Sequence, residues 1–154
     1  MRTLVLGIGN PILSDDGVGV RVVESLKNGF SDPNVDFRCE SISGLDLVEI
    51  VRGYDRLIIV DAIQTGKEKA GKIMKLTPSD ILGAGTVHFS TLHDVDMLTA
   101  LRLGKEIGAK MPEDVIIYAI EVGNIVDFCE ELTPEVKKAV PKAVRMLRVE
   151  LATP

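Results

Sequence analysis

The chain has 154 residues, 45% of them hydrophobic, which is material for one sizeable core and one ordinary domain over residues 1–154. Its 23 acidic and 18 basic residues give a net charge of -5, with Lys and Arg scattered apart from a mixed run near Lys137 to Arg148, and this argues against nucleic acid as a partner. Gly7 interrupts the N-terminal apolar stretch too early for a signal peptide, and no later stretch approaches the roughly 18 apolar residues that a membrane span requires.

Leu4 to Ile8 reads as a strand closed by Gly9-Asn10-Pro11. A helix follows in SDDGVGVRVVESLKNG, where Val18, Val22, Val23 and Leu26 recur at helical spacing. VDFRCES is a second strand, LDLVEIVRGY a second helix with Leu45, Val48, Ile50 and Val51 apolar, and RLIIVDA a continuous apolar run of the length of a buried parallel strand. The segment AGKIMKLTP predicts another strand. It is expected to be antiparallel and at an edge, because QTGKEKAG is too short to form a crossover helix. SDILGAGTVHFST reads as a loop. His93 to Ile107 then forms a helix with Met97, Leu98, Leu101 and Ile107 on one face, and VIIYAIEV a further buried strand. Thr133-Pro134-Glu135 opens a last helix, Thr133 as its N-cap, with Val136, Val140, Val144, Leu147 and Leu151 inward and with Pro141 predicting a kink or a break. The whole is an α/β chain with three α/β/α layers.

The turn after the first strand, GIGNPILSDDGVG, does not make a dinucleotide fingerprint. The third glycine would fall at Ile12, and Pro11 removes a backbone donor from the loop. Phosphate-loop, H-E-x-x-H and G-x-S-x-G patterns are also missing from the sequence. What remains is a loop ending in two adjacent carboxylates. Ser14, Asp15 and Asp16 stand where helix caps stand, and either acid would serve as one. Two are more than one cap needs, so one is expected to cap while the other, Asp16, faces the crevice, with Gly17 and Gly19 leaving room for a partner.

Asp61 follows Leu57 to Val60 at the carboxyl end of a central strand, where open parallel sheets collect ligand groups. If the first and third strands are neighbours, Asp16 and Asp61 face each other, and two close carboxylates raise one another's pKa unless a cation lies between them. His88 and His93 are the two imidazoles. A single His is more often a satisfied structural residue, but Ser90-Thr91-Leu92-His93-Asp94 leads straight into a helix, which favours His93 as the functional one. One His and two Asp make an open, oxygen-rich metal site that leaves positions for water or substrate and binds weakly by itself. Cys39 and Cys129 form no C-x-x-C pair and read as isolated thiols in a reducing compartment, the cytoplasm.

The segments GIGNPILSDDGVG, LIIVDA, STLHD and ELTPEV, in this order over nearly the whole chain, resemble the maturation endopeptidases of nickel-iron hydrogenases. The resemblance implies a mixed, mostly parallel five-stranded sheet. It also implies a cytoplasmic, monomeric hydrolase that removes the C-terminal extension of the hydrogenase large-subunit precursor after nickel insertion. The family's metal-contacting positions fall on Asp16, Asp61 and His93, with nickel carried by the precursor near a C-terminal Cys-x-x-Cys motif. Many members have Glu at the position of Asp16. The reading from a different class is a non-enzymatic chaperone that holds nickel or the precursor through the same ligands.

Overall fold

The structure is a computed structural model that describes the chain except residues 42–43, 84–87, 90–93, 124–126 and 154, with backbone alone described at 44–45, 81–83, 88–89 and 94–98. The elements are β1 (Thr3–Ile8), α1 (Val18–Asn28), β2 (Val35–Glu40), α2 (Gly44–Val51), β3 (Arg56–Gln64), β4 (Ile73–Leu76), α3 (Pro78–Gly83), β5 (His88–Phe89), α4 (Asp94–Glu106), β6 (Asp114–Glu121) and α5 (Pro134–Ala152). Five strands lie side by side in the order β2-β1-β3-β6-β4. The pairings among β2, β1, β3 and β6 are parallel, and β4 runs antiparallel to β6 at the edge. The mixed sheet therefore matches the expected fold class. The short β5 adds an antiparallel pairing at the end of β3, through Ile63 with Phe89 and Gln64 with His88. It and α3 stand where the sequence suggested only a loop.

Parallel strands buried on both faces favour apolar side chains at successive positions, and β3 largely follows that rule: its first eight residues are all buried, and all but Arg56 and Asp61 are apolar. Leu57, Ile59 and Ile63 pack with Leu47, Val48 and Val51 of α2 and with Ala100 and Leu101 of α4. Ile58, Val60 and Ala62 pack on the other face with Val18, Val22, Val23 and Leu26 of α1 and with Val136, Ala139, Ala143 and Leu147 of α5. These two clusters are the cores between the three layers. Helix α1 is rich in β-branched residues with modest helix propensity, so the buried stripe holds it rather than its intrinsic preference.

Three expectations need correction. The last helix runs unbroken from Pro134 to Ala152 through Pro141. Pro141 is on the exposed side, and the buried residues before and after it keep both halves on the same core. Thr133 is at the N-cap position, but its hydroxyl does not cap the helix and is used elsewhere. Ile107 lies past the end of α4 and is exposed rather than inward.

Candidate active site

The strand order places the reversal of connection between β1 and β3: β1 leads to β2 on one side, and β3 has β6 on the other. The crevice outside the carboxyl ends at such a reversal is where open sheets bind ligands. The register sets Gly7 beside Val60, so Asp61 is level with Ile8, the last residue of β1. Both sequence-selected carboxylates are at this point. Asp61 is within β3, which continues to Gln64, instead of at its end.

Asp16 belongs to a 3-10 turn, Ser14–Gly17, between β1 and α1, and this turn packs against β3. The chain folds back tightly here. A Cβ at Gly9, whose φ is +152°, would be 2.1 Å from the Asp16 carbonyl oxygen, and one at Gly19 would be 2.2 Å from that of Val60. The space at Gly17 and Gly19 is thus filled by Pro11 and Val60 and is not open to a ligand. Ser14 has a φ of 49°, uncommon for a residue with a side chain. Its N–H donates to the Cys129 carbonyl at 2.7 Å and its hydroxyl to the Glu131 carbonyl at 3.1 Å.

The two adjacent acids divide their work. Asp15, fully buried, accepts from the Thr133 N–H at 2.7 Å, from the Thr133 hydroxyl, and from the Gly123 N–H at 3.3 Å. It ties the start of α5 and the chain after β6 to the turn, and no side-chain cap of its own turn or helix is formed. Asp16 is 1% exposed. Its Oδ2 accepts from the Asn10 N–H at 2.8 Å, and its Oδ1 is buried with no hydrogen-bond partner among the described residues. A buried carboxylate oxygen with open lone pairs is costly unless something donates to it, which suits a site completed from outside.

Asp61, also 1% exposed, points to the same face as Ile59 and Ile63, toward the α2 and α4 layer, and its Oδ1 accepts from the Ala62 N–H at 2.8 Å. Both acids are therefore covered rather than set on open loops. His93 lies outside the described residues, directly before α4, and for His88 the backbone pairing with Gln64 is what the structure describes. Among the described residues no three His, Cys, Asp or Glu side chains gather as a cation site, so the set Asp16, Asp61 and His93 brings together two positions whose third falls outside that description.

One buried acid was missed by sequence reasoning. Glu121, 3% exposed, ends β6 next to Ile63 of β3, and the parallel register puts it on the same face as Asp61, one pleat further toward the carboxyl edge. Its signal was present: VIIYAIE ends in an acid after an apolar run, as LIIVD does. The five buried Asp, Glu, Lys or Arg residues among those described are Asp15, Asp16, Arg56, Asp61 and Glu121, and all four acids are at the carboxyl edge.

The family model for HycI, described as a hydrogenase maturation protease, matches residues 20–150. The chain belongs to the hydrogenase maturation protease family. It is 36% identical over 114 residues to the hydrogenase 2 maturation protease of Escherichia coli K12, covering 72% of this chain and 70% of that one. It is 33% identical to the hydrogenase expression/formation protein HupD of Rhizobium leguminosarum bv. viciae, over 96% of this chain and 74% of that one. The fold superposes on the hydrogenase maturating endopeptidase HybD of Escherichia coli with a TM-score of 0.80 at 25% identity, over 99% and 93% of the two chains. It also matches the [NiFe] hydrogenase maturation protease HybD of Thermococcus kodakarensis with a TM-score of 0.74 at 27% identity, over 96% and 97%. As a hydrogenase maturation protease the chain is a peptide hydrolase, and the enzyme reading displaces the chaperone reading.

Proposed function

We propose that this protease removes the C-terminal extension of a nickel-iron hydrogenase large-subunit precursor after nickel insertion, and that Asp16, Asp61 and His93 contact the nickel carried by the precursor. The observation that supports this reading most is the buried Oδ1 of Asp16, without a hydrogen-bond partner among the described residues, beside the β1 and β3 carboxyl ends, with Asp61 on the neighbouring strand. The donor set fits: two carboxylates and an imidazole supply a few hard or borderline ligands and leave the remaining positions to the precursor. In hydrolysis the precursor's metal polarises the scissile carbonyl or acidifies a water. A carboxylate of the site takes the proton of the attacking water and returns it to the leaving amine as the carbon–nitrogen bond breaks.

Both acids are covered, so the precursor must displace part of the chain to reach them, and binding through a filled metal centre favours that opening only for the correct substrate. We place the enzyme in the cytoplasm as a monomer. Two free cysteines support a reducing compartment, and no helix among the described residues is long and apolar enough to cross a membrane. The test is paired digestion of precursor preparations that differ only in nickel loading, read by mass spectrometry of the C-terminus. Cleavage of the loaded precursor alone is expected, and equal cleavage of both would replace this reading with an ordinary sequence-reading peptidase.

A further inference from the structure

We propose that Glu121 is a positioning residue for the hydrolytic reaction, holding the far end of β3 so that Asp61 and the docked strand β5 keep a fixed relation. The proposal rests on the assignment of Asp61 above. The Glu121 carboxylate accepts from the Thr65 N–H, at 3.0 Å to Oε2 and 3.2 Å to Oε1, and from the Thr65 hydroxyl. Thr65 is the first residue after β3, and it also organises the following turn, since its hydroxyl oxygen accepts from the Lys67 N–H at 3.0 Å. Glu121 thus clamps β3 where the strand leaves the sheet.

That end of β3 has two dependents. Asp61 is two residues before Ile63, the residue in register with Glu121, and shares its face. Strand β5 pairs with the last two residues of β3, Ile63 and Gln64, immediately before the clamped Thr65. From β5 the sequence reaches His93 and α4 within five residues. β3 extends past β1, whose pairing stops at Val60, so beyond Asp61 it is held laterally by β6 and by the two residues of β5.

The chemistry of the anchor is also informative. Glu121 is buried, and it makes no ion pair among the described residues, its hydrogen-bonded partners there being the amide and hydroxyl of Thr65. Burying a charge on such donors is unfavourable relative to a neutral side chain, yet charge-assisted hydrogen bonds are shorter and stronger than neutral ones. That trade suits a point where precise placement matters, because a misplacement of about 1 Å costs about a hundredfold in rate.

The experiment compares Glu121→Ala, Glu121→Gln, Thr65→Val and Asp61→Asn in the full chain on nickel-loaded precursor, with kcat and KM resolved, thermal unfolding, and amide hydrogen exchange at Ile63 and Thr65. Glu121→Ala is expected to lower kcat by about a hundredfold with KM within about threefold, and to speed exchange at Thr65. Glu121→Gln, which keeps an acceptor for the Thr65 amide, should restore most of kcat. Thr65→Val, which retains that amide and serves if Glu121→Ala does not fold, should lower kcat less but in the same direction. A folded Glu121→Ala or Thr65→Val with wild-type kcat, or a Gln variant no better than Ala, overturns the positioning role while Asp61→Asn remains inactive. Normal processing by Asp61→Asn instead overturns the site assignment, and this proposal with it.

Discussion

The Asp15 carboxylate holds Thr133 through both its backbone N–H, at 2.7 Å, and its hydroxyl, and thereby fastens the first turn of α5 to the turn that carries Asp16. The neighbouring acid keeps an oxygen free of hydrogen bonds among the described residues. Adjacent carboxylates thus serve structure and chemistry separately.

Asp15→Ala leaves the Thr133 and Gly123 donors without their acceptor at a part-buried junction. We expect a loss of about 2 to 4 kcal/mol by urea denaturation. The melting temperature should fall by roughly 4 to 16 °C, at about 2 to 4 °C per kcal/mol for a chain of this size. Asp15→Asn retains an acceptor and should lose less. Equal stability of Asp15→Ala and wild type would show that the clamp is dispensable.

Asp16→Asn should abolish processing while melting at or above the wild-type temperature, because the substitution removes a buried charge whose Oδ1 is unpartnered among the described residues. Asp61→Asn and His93→Ala should also stop processing, and His88→Ala should not. Precursor cleavage followed by mass spectrometry, beside thermal unfolding, reads both properties. Normal cleavage by His93→Ala with loss in His88→Ala would reverse the choice of histidine.

The free enzyme should retain divalent metal only substoichiometrically after dialysis against a chelator. Asp16 Oδ2 and Asp61 Oδ1 already accept backbone N–H groups, and the proposed set has no thiolate. Elemental analysis of the dialysed protein checks this, and tightly held equimolar metal would contradict it.

Glu150 anchors the far end of α5, accepting from Lys75 Nζ and the Tyr118 hydroxyl at 2.8 Å each and from Arg56. Burial pushes its carboxyl up, but the hydrogen bonds from Lys75 and Tyr118 and the nearby positive charges hold it below its ordinary value of 4.5. A carboxyl depressed by folding contributes stability that is present above its unfolded pKa and is lost as pH falls through the folded one. Urea titrations should therefore show Glu150→Gln less stable than wild type at pH 7, with the difference shrinking as pH drops below about 4.5. Processing at neutral pH should be little changed, since Arg56 begins β3 at the edge opposite the site.

Desolvation of its sulfur, which lies 3.8 Å from the Val20 carbonyl, pushes the Cys39 thiol up to about 11, with the Glu24 charge adding to the effect. The thiolate is the reactive form, so alkylation of Cys39 should be slow at pH 7 and should quicken as pH rises toward that value. Modification of Cys39 or Cys129 should leave processing intact. Peptide mapping against residual activity tests this, and inactivation in step with either label would point to a thiol mechanism.

The sequence by itself determined the types of all elements but α3 and β5, and the order of chemistry-bearing residues along them. Valines at helical spacing specify α1, and the run Leu57 to Val60 is apolar at every position because a central parallel strand is buried on both faces. It also singled out Asp16, the second of two adjacent acids before a helix, and Asp61, an acid directly after an apolar run. The same local pattern as at Asp61 meant nothing at Glu121 until β6 was placed beside β3. Only the tertiary structure decided which acid of the pair clamps Thr133, 118 residues away, and that Gly17 and Gly19 serve packing against Pro11 and Val60. It also decided that Pro141 continues a helix held by its buried face, and that β3 runs past Asp61 to carry β5. These outcomes depend on partners distant in the chain. Hydrogen bonding and close packing are satisfied in space, and periodicity reports only the face a residue takes, not what it meets there.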